Sequence, residues 1–274
     1  MRILHLLNFF SGSSNDALVQ RQTLLSLREA YSLAASTGVG VHYIFIGTSA
    51  DNKFTETMLS EADFQCSHSF FEQLAPETPH SFLYGRNNPT LRATFFSPEV
   101  KEYLNSLEET EQHPGPLVVI SNTDICLRPH AYLSIALLYS RNTLANFVVN
   151  RETIDGDYLQ KPLSEAFRAH GSKHPGHDFF CLNLDSYRSM ELLESSHIIG
   201  FGFVMRPVLA NLILSEAPFY ELSYSRLTFH FGDDMPWKDP KWDAAIEHNR
   251  LGMIEILRRL LSRLDYAVSD EKMA

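Results

Sequence analysis

The chain is short of cysteine, of positive charge and of long apolar runs, and each shortage excludes something. Its three cysteines (Cys66, Cys126, Cys181) form no C-x-x-C pair and no even set, so there is no disulfide framework and the setting reads as reducing and cytoplasmic. Lys and Arg total 23 against 33 Asp and Glu, a net charge of −10. That excludes a general nucleic-acid binder, which needs a basic surface, but leaves room for a basic pocket around one anionic ligand. No segment offers the roughly 18 uninterrupted apolar residues of a membrane-spanning helix, and the opening Met1–Leu7 run is too short for a signal peptide or a span. G-x-G-x-x-G and Walker sequences are absent. What is present is a 44% hydrophobic chain of 274 residues, enough for a substantial core in one large domain or two small ones.

Periodicity sets the order of elements. Ile3–Leu7 reads as a strand buried on both faces, followed by a small-residue loop (Ser11-Gly12-Ser13-Ser14). Asn15 is the expected N-cap of a helix over Asp16–Ala35, and Val41–Ile46 forms the next strand. Strand, helix, strand at this spacing is a βαβ unit, which implies a parallel pair. The loop between the first strand and the helix could hold phosphate on backbone N–H groups or be a plain turn. Gly47–Gly115 shows little pattern: Gln73–Asn88 reads as loop and Glu99–Glu109 as helix. Helix Pro129–Arg141 and strand Ala145–Asn150 continue the alternation, with Asn150-Arg151-Glu152 closing the strand. Ile154–Ser172 is irregular and polar. Val204–Leu214 reads as helix, Leu227–Phe229 as a short strand, and a long helix begins at Asp239-Pro240 and runs through Leu264, with a polar tail after Asp265. Its apolar positions lie beside Arg250, Arg258, Arg259 and Arg263. Such a face suits peripheral membrane contact or a partner, and more simply docking on the sheet.

Three polar clusters sit at ends of these elements. Val118–Pro129 (V-V-I-S-N-T-D-I-C-L-R-P) starts as a buried strand and breaks into Ser121-Asn122-Thr123-Asp124, where open α/β sheets bind ligands. The same residues would also make an ordinary polar turn. Lys173-His174-Pro175-Gly176-His177-Asp178 precedes the apolar Phe179–Leu182, and a turn needs only one such polar residue. His230-Phe231-Gly232-Asp233-Asp234 with Trp237 is the third, and His197–Gly202 is a Gly-containing loop suited to border an acceptor pocket. Carboxylates with imidazole suit Mn²⁺, and carboxylates with water suit Mg²⁺.

Together these segments resemble the GT-A type of nucleotide-sugar glycosyltransferase. Ser121-Asn122-Thr123-Asp124 resembles its D-x-D signature, with Asn122 standing where the first Asp would be. His230-Phe231-Gly232 with Pro236-Trp237 resembles the H-x-x-G-x-x-K-P-W segment of some retaining members, one residue shorter and with Lys238 after the Trp. His174–Phe180 and Leu227–Lys238 resemble bacterial glycosyltransferases carrying H-P-G-x-D-x-F and T-F-H-x-G-D-D-x-x-W-K.

The resemblance implies a single α/β domain over residues 1–268 with a mixed, mostly parallel sheet flanked by helices. A nucleotide-binding half would cover 1–126, an acceptor-side half with the C-terminal helix 127–268, and a frayed tail 269–274. It implies transfer of a sugar from a nucleotide-diphosphate donor to an acceptor hydroxyl on a glycan, lipid-linked glycan or small molecule. Asp124, Asn122 and His230 would hold Mn²⁺ or Mg²⁺. Asn8, Asn122, Asp124, Arg151 and Gly232 would contact the donor, and Asp178 with His177 would carry the catalytic or sugar-orienting role. A metal-dependent hydrolase of a phosphate or ester, or a non-catalytic sugar- or nucleotide-binding protein of the same fold, would use the same residues.

Overall fold

The computed structural model describes residues 1–8, 13–46, 90–108, 115–193, 197–232 and 239–271. The readings made for Ser11-Gly12, Cys66, Gln73–Asn88 and Asp233–Lys238 fall outside them.

The first βαβ unit forms as its sequence predicts. Strand β1 (Arg2–Leu7) and strand β2 (Gly40–Phe45) pair in parallel, joined through helix α1 (Ser14–Ser36). The helix starts earlier than Asn15 suggests. Ser13 is the N-cap, in a capping box whose hydroxyl takes the Asp16 N–H while the Asp16 carboxylate takes the Ser13 N–H at 2.7 Å. The reciprocal bonding satisfies two helix-end donors at once, which a lone Asn15 side chain could not do.

Helices α2 (Leu91–Phe95) and α3 (Pro98–Glu108) precede strand β3 (Leu117–Ser121), which runs parallel to β1. The chain then makes a two-residue strand, β4 (Cys126–Leu127), before helix α4 (Ala131–Arg141) and strand β5 (Asn146–Ile154). Strand β5 does not close at Asn150-Arg151-Glu152. It continues four residues past Asn150, pairing Glu152, Thr153 and Ile154 with a later strand. A short 3₁₀ turn (Gly156–Gln160) and helix α5 (Leu163–Ala166) occupy the irregular stretch. Part of it is interior, because Leu159, Ala166 and Ala169 pack against Phe229 and Phe231.

Strand β6 (Ser172–Asn183) is the largest departure. The Lys173–Asp178 cluster, expected just before the strand, is its first half, and β6 lies antiparallel between β3 and β5. Pro175 is tolerated there because the β5–β6 register is interrupted in this half. Helix α6 (Leu184–Arg188), helix α7 (Arg206–Ile213), strand β7 (Phe219–Leu222) and strand β8 (Thr228–Phe231) follow. His230 therefore sits in a strand, not in a loop beyond it. Helix α8 (Asp243–Glu271) ends the described chain, still helical where a frayed tail was expected.

The strand order is β2-β1-β3-β6-β5-β8-β4, with β7 pairing β5 beside it. Four pairings are parallel and three antiparallel, so the sheet is mixed and mostly parallel. Alternation along the strands divides the core in two. Ile3, Leu7, Leu117 and Val119 pack under α1 and α4, while Leu4, Leu6, Val118 and Ile120 face α2, α3, α6 and α7. Each fully buried Leu or Phe of these layers contributes about 1.5–3 kcal/mol. Helix α8 docks on α7 and the 198–202 segment rather than mainly on the sheet. Asn249, fully buried, donates to Ile198 O and Gly202 O and accepts from Ile198 N–H.

Candidate active site

The parallel strands β1, β3, β5 and β8 all bring their carboxyl ends to one side of the sheet, and antiparallel β6 brings its amino half to the same side. This is the edge at which open α/β sheets take ligands.

Two short pairings place the first cluster. The chain leaves β3 at Ser121, turns through an Ile125 N–H to Asn122 O bond, and returns as β4 against β8, Cys126 opposite Phe229 and Leu127 opposite Thr228. Asp124 is thereby set against the end of β8, with its Oδ2 3.3 Å from His230 Nε2. The other ring nitrogen is committed. His230 Nδ1 lies 2.9 Å from Gly232 O, and since a carbonyl only accepts, Nδ1 is the donor. Gly232 makes this return possible with φ of +69°, where side chains are strained, and its own N–H donates to Ile154 O at 2.8 Å.

The consequence is electrostatic. With the proton fixed on Nδ1, a neutral His230 would aim the Nε2 lone pair at a carboxylate oxygen, and two lone pairs repel. A cation has to sit between them, either a second ring proton or a metal ion. Burial pushes the His230 ring toward neutrality, but the hydrogen bond to Asp124 and the Asp124 charge outweigh it and raise its pKa. Burial likewise pushes the Asp124 carboxyl up, and the His230 hydrogen bond with the charges of His230 and Arg151 overcomes this and lowers it. Among the described residues Asp124 Oδ1 is shielded from water and has no hydrogen-bond partner, although the side chain as a whole keeps 41% of its surface open. One carboxylate oxygen faces His230.

The second cluster lies next to the first. Arg151 Nη1 is 2.9 Å from Asp178 Oδ2, an ion pair without hydrogen-bond alignment, and its Nη2 is 3.3 Å from His174 Nε2. Asn122 Nδ2 donates to Asp178 Oδ1 at 3.4 Å, which ties the loop after β3 to β6. A β-bulge delivers Asp178. From Val149 to Asn150 strand β5 advances one residue while β6 steps from Phe179 to His177, leaving Asp178 as the extra residue. Bulges re-aim side chains in this way beside functional sites. Gly176 permits the crowding, since a Cβ there would lie 2.7 Å from the His174 ring and 3.3 Å from Asp178 Oδ2.

The structure thus brings Asn122, Asp124, Arg151, Asp178 and His230 together. It separates His177 from them, turning that ring toward Glu221 of β7 with Nε2 3.6 Å from Oε1. Asn8, at the end of β1, spans to β2 by donating to Ile46 O at 2.9 Å. Gly232 serves His230 through its backbone. Among the described residues no group of three or more His, Cys, Asp or Glu is placed to hold a metal ion. The donor set that fits a divalent cation is Asp124 with His230; Asn122 turns its amide nitrogen to Asp178.

Two supporting arrangements were not read from sequence. Beneath the floor, fully buried His5 of β1 meets Ser121 Oγ through Nε2 at 2.8 Å and Tyr132 Oη through Nδ1 at 2.6 Å. Burial holds its pKa down to about 3, and two hydroxyls, each able to donate or accept, satisfy the neutral ring. The only signal was one polar residue in an apolar strand. Beside the site, Glu152 is held between buried Arg128 at 2.7 Å and Arg226 at 2.9 Å. Both arginines also donate to Ala169 O, at 2.9 and 3.1 Å, clamping the 167–169 segment to β5.

No protein-family model matches the chain, and neither does any curated protein. Solved structures similar to it include residues 1–349 of S. aureus TarS in complex with UDP-GlcNAc, at 8% identity and a TM-score of 0.45, covering 96% of this chain and 72% of that one. Mouse xyloside xylosyltransferase 1 in its apo form is similar at 13% identity and a TM-score of 0.36, covering 94% and 83%. The 4-diphosphocytidyl-2C-methyl-D-erythritol synthase of Anaerococcus prevotii is similar at 8% identity and a TM-score of 0.35, covering 90% and 98%. At these scores the fold is defined by the chain's own strand order and register: a mixed, mostly parallel sheet with helices on both faces.

Proposed function

We propose that the protein transfers a sugar from a nucleotide-diphosphate donor to an acceptor hydroxyl, assisted by a divalent cation. The observation that carries this reading is the Asp124–His230 pair, whose facing Oδ2 and Nε2 accommodate a metal ion as well as a second ring proton, at the carboxyl ends of the sheet. Asp124 and His230 are the residues that would hold Mn²⁺ or Mg²⁺, and such an ion would neutralise the departing diphosphate. Arg151 supplies a second positive charge on the donor side. Asp178, held by Arg151 and Asn122, is the carboxylate that would orient the transferred sugar or take the acceptor proton. Asn8 and Gly232 would contact the donor through their polar backbone and side-chain groups, and His177 would serve on the acceptor side.

Titration calorimetry with UDP- and GDP-sugars, with and without Mn²⁺, tests this. A saturable, Mn²⁺-dependent heat that Asp124→Ala abolishes is the expected result. No binding of any donor would sink the reading, and equal binding by Asp124→Ala would sink the metal role.

A second reading is a donor-binding protein without transfer. The amide of Asn122, turned to Asp178, favours it by leaving the loop after β3 one carboxylate. It predicts the same binding heat with no release of nucleoside diphosphate in the presence of any acceptor.

A further inference from the structure

Away from the candidate active site, a cavity of about 360 Å³ opens between α2, the start of α3, the 190–193 segment and α8. That is the size of a small-molecule site. None of the candidate active-site residues lines it. One wall is apolar and built from buried Phe96, Met190, Leu193 and Ile256. The rim is basic, in a protein whose net charge is −10.

The rim charges differ in how they are engaged. Arg259 Nε lies 3.3 Å from Glu255, and the one carboxylate in the lining, Glu191, is taken by Arg263. Lys101 has no carboxylate partner among the described residues. Burial lowers its pKa, and the neighbouring Arg92 charge lowers it further, so the ammonium is held against like charge over an apolar surface. An ammonium left uncompensated in this way is stabilised by an incoming anion, and an alkyl chain attached to that anion would cover the wall below it.

We propose that this cavity is a second ligand site, taking an amphipathic anion whose carboxylate or phosphate head meets Lys101 while its chain lies along Phe96, Met190, Leu193 and Ile256. The site is independent of the transferase reading. Calorimetry on the full chain, below the micelle concentration of each probe, compares decanoate, decyl phosphate, decanol and inorganic phosphate. Saturable binding of decanoate or decyl phosphate at least tenfold tighter than decanol or inorganic phosphate is expected, and the tighter of the two identifies the head group. Lys101→Glu should weaken that binding about tenfold or more, and Lys101→Gln by less, since a hydrogen bond to a charged group is lost. Asp124→Ala should leave it unchanged, which separates this site from the donor site. The proposal is overturned if neither alkyl anion binds, if decanol or inorganic phosphate binds as tightly, or if Lys101→Gln and Lys101→Glu with native circular dichroism bind as wild type does.

Discussion

Two histidines stand on either side of the Ser121–Asp124 stretch and are treated in opposite ways. His5, below it in β1, is sealed from water between two hydroxyls, and its pKa is held down to about 3. His230, above it at the end of β8, faces a carboxylate, which overcomes the effect of burial and raises its pKa. Both are in buried strands of one sheet. The difference lies in the partners: neutral hydroxyls let burial dominate, whereas a carboxylate repays the charged form. The lower histidine is closed off between hydroxyls, and the upper one is paired with a carboxylate that is partly open to solvent.

The sharpest way to break this comparison is to remove the carboxylate. If Asp124 holds the cation as proposed, Asp124→Ala should reduce Mn²⁺-dependent donor affinity by about a hundredfold or more, since it removes a charged contact and a metal ligand together. Its melting temperature should stay close to wild type, because the side chain is partly open. A large loss of stability with unchanged donor binding would place Asp124 in the structure and not in the site.

The converse substitution is His5→Ala. It leaves the Ser121 and Tyr132 hydroxyls unpaired around a cavity and should cost about 2–4 kcal/mol in urea denaturation. A cost below about 1 kcal/mol would show that water replaces the ring.

Acid should report the same contrast. The folded-state pKa of His5 is about 3 and that of buried His197 about 4, both below the ordinary 6.5. Below pH 6.5 the unfolded chain takes up protons that the folded chain refuses. The stability contributed by these two rings is therefore complete above that value and is lost as pH falls toward the folded values, by about 1.4 kcal/mol per pH unit for each ring. Urea midpoints between pH 7 and 4 measure this slope, and His5→Gln should remove one ring's share of it.

The smallest expected effect is that of Gly232→Ala. A side chain at φ of +69° should cost about 1 kcal/mol by urea denaturation, and displacing the Gly232 carbonyl should loosen His230 and weaken donor binding several-fold. Weakened stability with unaltered donor affinity would show that the Nδ1 hydrogen bond does not orient the ring.

Particular residues show what was readable. Ile3–Leu7 and Val118–Ile120 were legible as strands because burial on both faces leaves an apolar run, broken only by His5. Asp124 was legible because a carboxylate directly after such a run stands where the chain leaves the sheet. Cys126–Leu127 was not legible as a strand: two residues have no period, and the pairing exists only because β8 lies beside them. Nor was the separation of His177 from Asp178, which depends on one extra residue in the β5–β6 register. The same register interruption lets a segment with Pro and Gly, expected to lie before the strand, form half of it.

The sequence alone determined the β1-α1-β2 unit, the strand β3 with its polar exit, and the supply of carboxylate and imidazole along the chain. Those follow from periodicity and chain exits, which are local. Tertiary structure decided which of these groups meet. Asp124 reaches His230 across more than a hundred residues through a two-residue pairing, Asp178 is aimed by a bulge, and burial lowers the pKa of His5 while Asp124 raises that of His230. Each outcome depends on neighbours contributed by distant parts of the chain, and a charge state is set by those neighbours and not by the residue that carries it.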